Sequence, residues 1–125
     1  MTMRSSMFRV AAQGEITIIR IGGVPAKKTW AGYTIMQPDG DRYIIGHSET
    51  GHHHVIGAAG AFVAELQYAP AGMRVLRAIL ENPTSLDHLR DHDKHDSIIL
   101  EPGEYEFRTG REYDPYAEIA SRQVD

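Results

Sequence analysis

The sequence predicts an all-β fold: one domain built as a sandwich or barrel of roughly eight short strands. Three observations carry that reading. Runs of β-branched and aromatic residues recur at regular spacing. Gly and Pro punctuate the gaps between them, as in Gly22-Gly23, Pro38-Asp39-Gly40, Pro70-Ala71-Gly72 and Pro102-Gly103. The run Glu104-Tyr105-Glu106-Phe107-Arg108 alternates polar and apolar, which puts Tyr105 and Phe107 on one face.

In chain order, residues 1–6 are expected to fray, and 8–12 form a first short strand. Residues 16–21 are rich in β-branched side chains and end at Gly22-Gly23-Val24-Pro25. Residues 26–32, with Lys27, Lys28 and the single tryptophan Trp30, read as a loop. Residues 33–36 and 41–45 are expected to pair as a hairpin around Gln37-Pro38-Asp39-Gly40, whose Pro and Asp-Gly suit a tight turn. Gly51 marks a bulge or bend. Residues 62–66 read as a strand, with a short helix as the alternative, and 73–80 as a strand closed by Asn82-Pro83-Thr84.

Residues 85–95 fit two readings. Leu86 and Leu89 are three apart, as in a helical turn begun near Asn82-Pro83. A short strand through 86–89 suits the surrounding β pattern. Residues 97–100 and 104–108 are the last strands. The tail, 111–125, is extended or ends as a short helix through 116–122. The domain is expected to be single, spanning 1–125.

Composition narrows the chemistry. The chain has 125 residues, a formal charge of -4 and no cysteine. Disulfides, thiolate zinc sites and cysteine nucleophiles are excluded, so any metal must be held by His, Asp, Glu or backbone oxygen. Acids and bases are interspersed, without the basic stripe that nucleic-acid binding needs. No stretch approaches the roughly 18 apolar residues of a membrane helix, and the N-terminus lacks the pattern of a secretory signal. A soluble cytoplasmic protein is the expectation.

Four of the seven histidines, His47, His52, His53 and His54, lie close together between the apolar runs Ile44-Ile45 and Val55-Ile56. In a strand, His52 and His54 share a face, about 6.6 Å apart along the chain. Two imidazoles at that spacing can lean onto one ion at about 2.0–2.1 Å from each nitrogen. A second pair, His92 and His95, is set among Asp91, Asp93 and Asp96. If the pairs meet, four imidazoles, or three and a water, suit a divalent transition metal: zinc, nickel, iron or copper. The aspartates would serve as ligands or orient a histidine. The plainer reading is a polar surface loop of histidines bonded to nearby acids.

His47 and His88 each stand beside an apolar run, where hydrogen bonding in place is the ordinary role, and Glu49 is a ligand, a base or a solvated loop acid. Arg108 and Arg111, next to Glu112, Tyr113 and Asp114, would bind an anion or form a charged strand exit with exposed ion pairs. No catalytic triad can be assembled: Ser48 and His47 are neighbours in sequence, which does not supply the geometry of a nucleophile and its base.

Two resemblances follow from these residues. Gly46, five residues, His52, one residue and His54 resemble the opening of the first cupin motif, in which both histidines ligate metal on an inner barrel strand. The glutamate expected three or four residues later is missing, with Ala58 and Ala59 near its place, and Pro102-Gly103 is followed by no histidine. A cupin reading therefore requires His92 or His95 to replace the lost ligands, or else the site is vestigial. The order Gly51-His52-x-His54, His92-x-x-His95, Leu100-x-Pro102-Gly103-x-Tyr105-Glu106 and Arg111-Glu112-Tyr113-x-Pro115 is similar to a family of small bacterial and phage-associated proteins.

Together these imply a cupin-like β-barrel or sandwich in which His52, His54, His92 and His95 hold the metal, with His47, Glu49, His88, Asp91 and Asp93 around them. A small-molecule ligand and a homodimer are expected. The alternative is a non-enzymatic β-module that binds partners through its edge strands and whose histidines are structural or respond to pH.

Overall fold

The computed structural model describes residues 3–5, 9–27, 30–46, 53–89 and 95–110, with the backbone alone at 3–5, 95 and 96. These residues form eleven strands: β1 (Met3–Ser5), β2 (Val10–Gln13), β3 (Ile16–Gly22), β4 (Tyr33–Ile35), β5 (Arg42–Gly46), β6 (His54–Gly57), β7 (Ala61–Leu66), β8 (Arg74–Leu80), β9 (Thr84–Leu89), β10 (His95–Leu100) and β11 (Gly103–Thr109). They make a five-stranded sheet in the order β1-β10-β9-β6-β5 and a six-stranded sheet in the order β2-β3-β11-β8-β7-β4. All pairings are antiparallel except β1 with β10.

The fold is thus the all-β sandwich the strand spacing predicts, and not a closed barrel: among the described residues each sheet ends in edge strands, β1 and β5 on one and β2 and β4 on the other. The stretch expected to fray contributes β1. No helix among the described residues is long and apolar enough to cross a membrane.

The core lies between the sheets and follows the period-two alternation of each strand. Ile16, Ile18, Val63, Leu76, Ala78, Leu80, Tyr105 and Phe107 from the six-stranded sheet meet Tyr43, Ile45, Ile56, Leu86, Ile98 and Leu100 from the other. Tyr105 and Phe107 share a face as their spacing requires, and the buried Tyr105 hydroxyl donates to Glu101 O at 2.7 Å. Outside the core, Glu104 fixes the 23–32 loop to the six-stranded sheet. Its Oε2 accepts from Trp30 Nε1 at 3.0 Å and from Arg77 Nε at 2.5 Å, and the Arg77 guanidinium lies 5.3 Å from the Trp30 ring centroid.

Three local readings are corrected or resolved. The hairpin expected at 33–45 does not form: β4 pairs with β7 and β5 with β6, so the link passes from one sheet to the other. The turn itself is present. Asp39 N donates to Arg42 O at 2.7 Å, and Gly40 takes φ 66°. Met36 N donates to Val63 O at 2.9 Å, which extends the β4–β7 pairing almost to Pro38, whose missing N–H ends the ladder. Residues 62–66 are strand, not helix, and the first half of 85–95 is strand β9. The register of β5 slips between Ile44 and Gly46 opposite β6. Gly51, where a bulge was expected, and the helix or extended tail expected at 111–125 lie outside the described residues.

Candidate functional site

At one end of the sandwich the core turns polar. The inner-face row Tyr43, Ile56, Leu86 and Ile98 of the five-stranded sheet is followed by Gly46, His54 and His88, each paired with the next across β5, β6 and β9, and the Asp96 backbone stands opposite His88 on β10. Directly opposed residues share a face, so β6 carries His54 into the interior beside Ile56. Its side chain is 1% exposed. His54 and His88 are stacked, ring centroids 3.9 Å apart and planes 16° from parallel. His54 Nε2 and His88 Nδ1 are both buried atoms.

The facing sheet closes over these rings with the β2–β3 turn. Gln13 and Ile16 pair across the two-residue connection Gly14-Glu15, with Gly14 at φ 58°. That left-handed backbone suits glycine, and the space there is tight: a Cβ on Gly14 would stand 3.1 Å from His54 Cε1 and 3.6 Å, an ordinary contact, from His88 Cε1. Gly46 is crowded on the other flank by side chains alone: a Cβ there would lie 2.6 Å from Ile16 Cδ1 and 3.2 Å from His54 Cδ2. Gln13 is buried, with Nε2 donating to Leu86 O at 2.8 Å and Oε1 standing 2.8 Å from His54 Nδ1. The more exposed Glu15 places Oε1 3.8 Å from His54 Nε2. At this end Arg74 also crosses the sheets, donating from Nη1 to Ile45 O at 3.1 Å and from Nη2 to Glu65 Oε1 at 3.3 Å.

Of the residues singled out in the sequence, His54 and His88 are brought into contact. His95 begins β10, its backbone opposite Leu89 rather than His88, while Asp96 takes the place opposite His88. His47, Glu49, His52, Asp91, His92, Asp93 and Arg111 lie outside the described residues. Two of the flanking described residues meet at the polar end: Leu89 N donates to His53 O at 2.9 Å, joining the residue after 47–52 to the residue before 90–94.

Arg108 lies on the outer face of β11, with Nε donating to Glu106 Oε2 at 2.6 Å in a half-buried pair. Among the described residues no three His, Asp or Glu side chains are grouped as a metal ion would need. Gln13, Glu15 and Arg74 were not foreseen as site residues. Gly14-Glu15 stands between two strand-like runs in the sequence, which suits a turn but does not say that the turn reaches the histidines.

Residues 12–110 match the family model described as Domain of unknown function (DUF8820). The chain belongs to that family. The DUF8820 match runs from β2 to the residue after β11, so it takes in both sheets and Gln13, His54 and His88 together. It gives no support to the cupin resemblance. No curated protein and no solved structure matches the chain.

Proposed function

We propose that this DUF8820 domain binds a divalent transition metal at its polar end, with His54 Nε2 as a ligand. The observation that carries the reading is the setting of His54. One ring nitrogen is held by a buried amide, and the other faces a carboxylate oxygen at 3.8 Å. Metal-binding histidines are held in this way, through the nitrogen that does not touch the ion. The His–carboxylate spacing is below the sum of about 4.1 Å for a Zn–N and a Zn–O bond, so one ion can reach both. A nitrogen and oxygen donor set without sulfur suits zinc, nickel, iron or copper.

His52 and His92 are the proposed remaining ligands, with His88 packed beneath; His95, whose register partner is Leu89 and not His88, is left out of that set. Their support is the sequence spacing together with the His53–Leu89 bond, which joins the residue after 47–52 to the residue before 90–94. Bound there, the ion would polarise the oxygen of a small-molecule ligand or activate water. The rival reading, a β-module whose histidines are structural, draws on the Gln13–Leu86 bond, which by itself ties the two sheets together.

Thermal melting separates the readings. At a free zinc or nickel concentration a hundred times the dissociation constant, binding to the folded state alone adds about 2.7 kcal/mol. For a domain of this size that raises Tm by on the order of 10 °C relative to EDTA at the same pH. Superimposable melts in zinc, nickel and EDTA would leave the histidines with a structural role only.

A further inference from the structure

We infer that Gln13 is a positioning residue that sets His54 as the Nδ1–H tautomer, making Nε2 the nitrogen that carries the lone pair; only the final step, that this lone pair meets a metal, rests on the function proposed above. The orientation of the Gln13 amide is dictated by Leu86. A backbone carbonyl can only accept, so the group 2.8 Å from Leu86 O is the NH2 of Gln13. A flipped amide would press two acceptors together. Oε1 therefore faces His54 Nδ1 at 2.8 Å. An amide oxygen can only accept in its turn, so Nδ1 donates. In the neutral ring the proton is then on Nδ1 and the lone pair on Nε2.

The two-residue turn makes this hold on the ring two-sided. Gln13 meets one nitrogen, and Glu15, on the other side of Gly14, stands 3.8 Å from the other. Gly14 lets the turn descend onto the edge of the ring, where any Cβ would meet His54 Cε1. Gln13 also differs from a carboxylate partner. It fixes the tautomer of the neutral ring without adding charge.

The test is a long-range 1H–15N correlation spectrum of the metal-free full chain, recorded where imidazole is neutral. His54 should show the Nδ1–H pattern in the wild type and should move toward Nε2–H in Gln13→Leu and in Gln13→Met, each of which removes the amide acceptor. A solely structural role for Gln13 would lower stability without moving the tautomer. An Nε2–H or doubly protonated His54 in the wild type, or a Gln13→Leu ring unchanged from it, would overturn the inference. If Gln13→Leu fails to fold, the wild-type and Gln13→Met spectra decide.

A zinc titration supplies the second arm. Affinity should fall roughly 10–100-fold in Gln13→Leu, and equal affinity in the two proteins would count against positioning. A wild type with the Nδ1–H ring that binds no zinc would overturn the metal reading and leave the role of Gln13 standing.

Discussion

Replacing His54 with alanine is expected to cost about 3–5 kcal/mol of folding free energy, from the cavity left by a buried ring and from the buried Gln13 oxygen that loses its donor. The ring is 1% exposed, stacks on His88 and is the point at which the β2–β3 turn grips the five-stranded sheet. Urea denaturation at constant pH measures the loss as a fall in midpoint with little change in slope. The same variant should lose the zinc-dependent rise in Tm. A cost below about 1 kcal/mol, the scale of an ordinary surface change, would mean that His54 is not buried against Gln13.

Phe107→Ala should be equally damaging, at about 3–5 kcal/mol, but for a different reason and with a different signature. Phe107 is buried at the centre of the six-stranded sheet, paired with Leu76 of β8 and Ile18 of β3 and packed 6.5 Å from the Tyr105 ring. Alanine there leaves an apolar cavity with no polar group stranded. A variant that still folds should therefore keep the zinc-dependent increment in Tm that His54→Ala loses. Loss of both in Phe107→Ala, with the fold intact, would show that metal binding and core packing are not separable.

These two positions also show what the sequence could and could not reveal. Phe107 was legible because alternation in a strand is a local property: Tyr105 and Phe107 had to share a face, and their size directed that face inward. His54 was partly legible. Its parity places it beside Ile56, but nothing local says that His88, thirty-four residues on, is its neighbour across the sheet. His88 beside Leu86 and Leu89 reads as a lone polar residue until β6 and β9 are paired.

The turn at Gln37-Pro38-Asp39-Gly40 illustrates the same limit. Its chemistry fixes a reversal, yet whether the chain returns along its own sheet or crosses to the other depends on β4 having β7 as a partner, a contact distant in sequence. Gln13 carried no signal at all. A glutamine at a strand end is usually solvated, and its burial comes from the facing sheet supplying both a carbonyl and an imidazole.

Anomalous diffraction from crystals of the untagged protein loaded with zinc, recorded on both sides of the zinc absorption edge, would place the ion directly. The predicted result is a single strong peak about 2.0–2.1 Å from His54 Nε2, with Nδ1 still on Gln13 Oε1. Saturating zinc with no peak at that nitrogen, or a peak confined to other histidines, would contradict it.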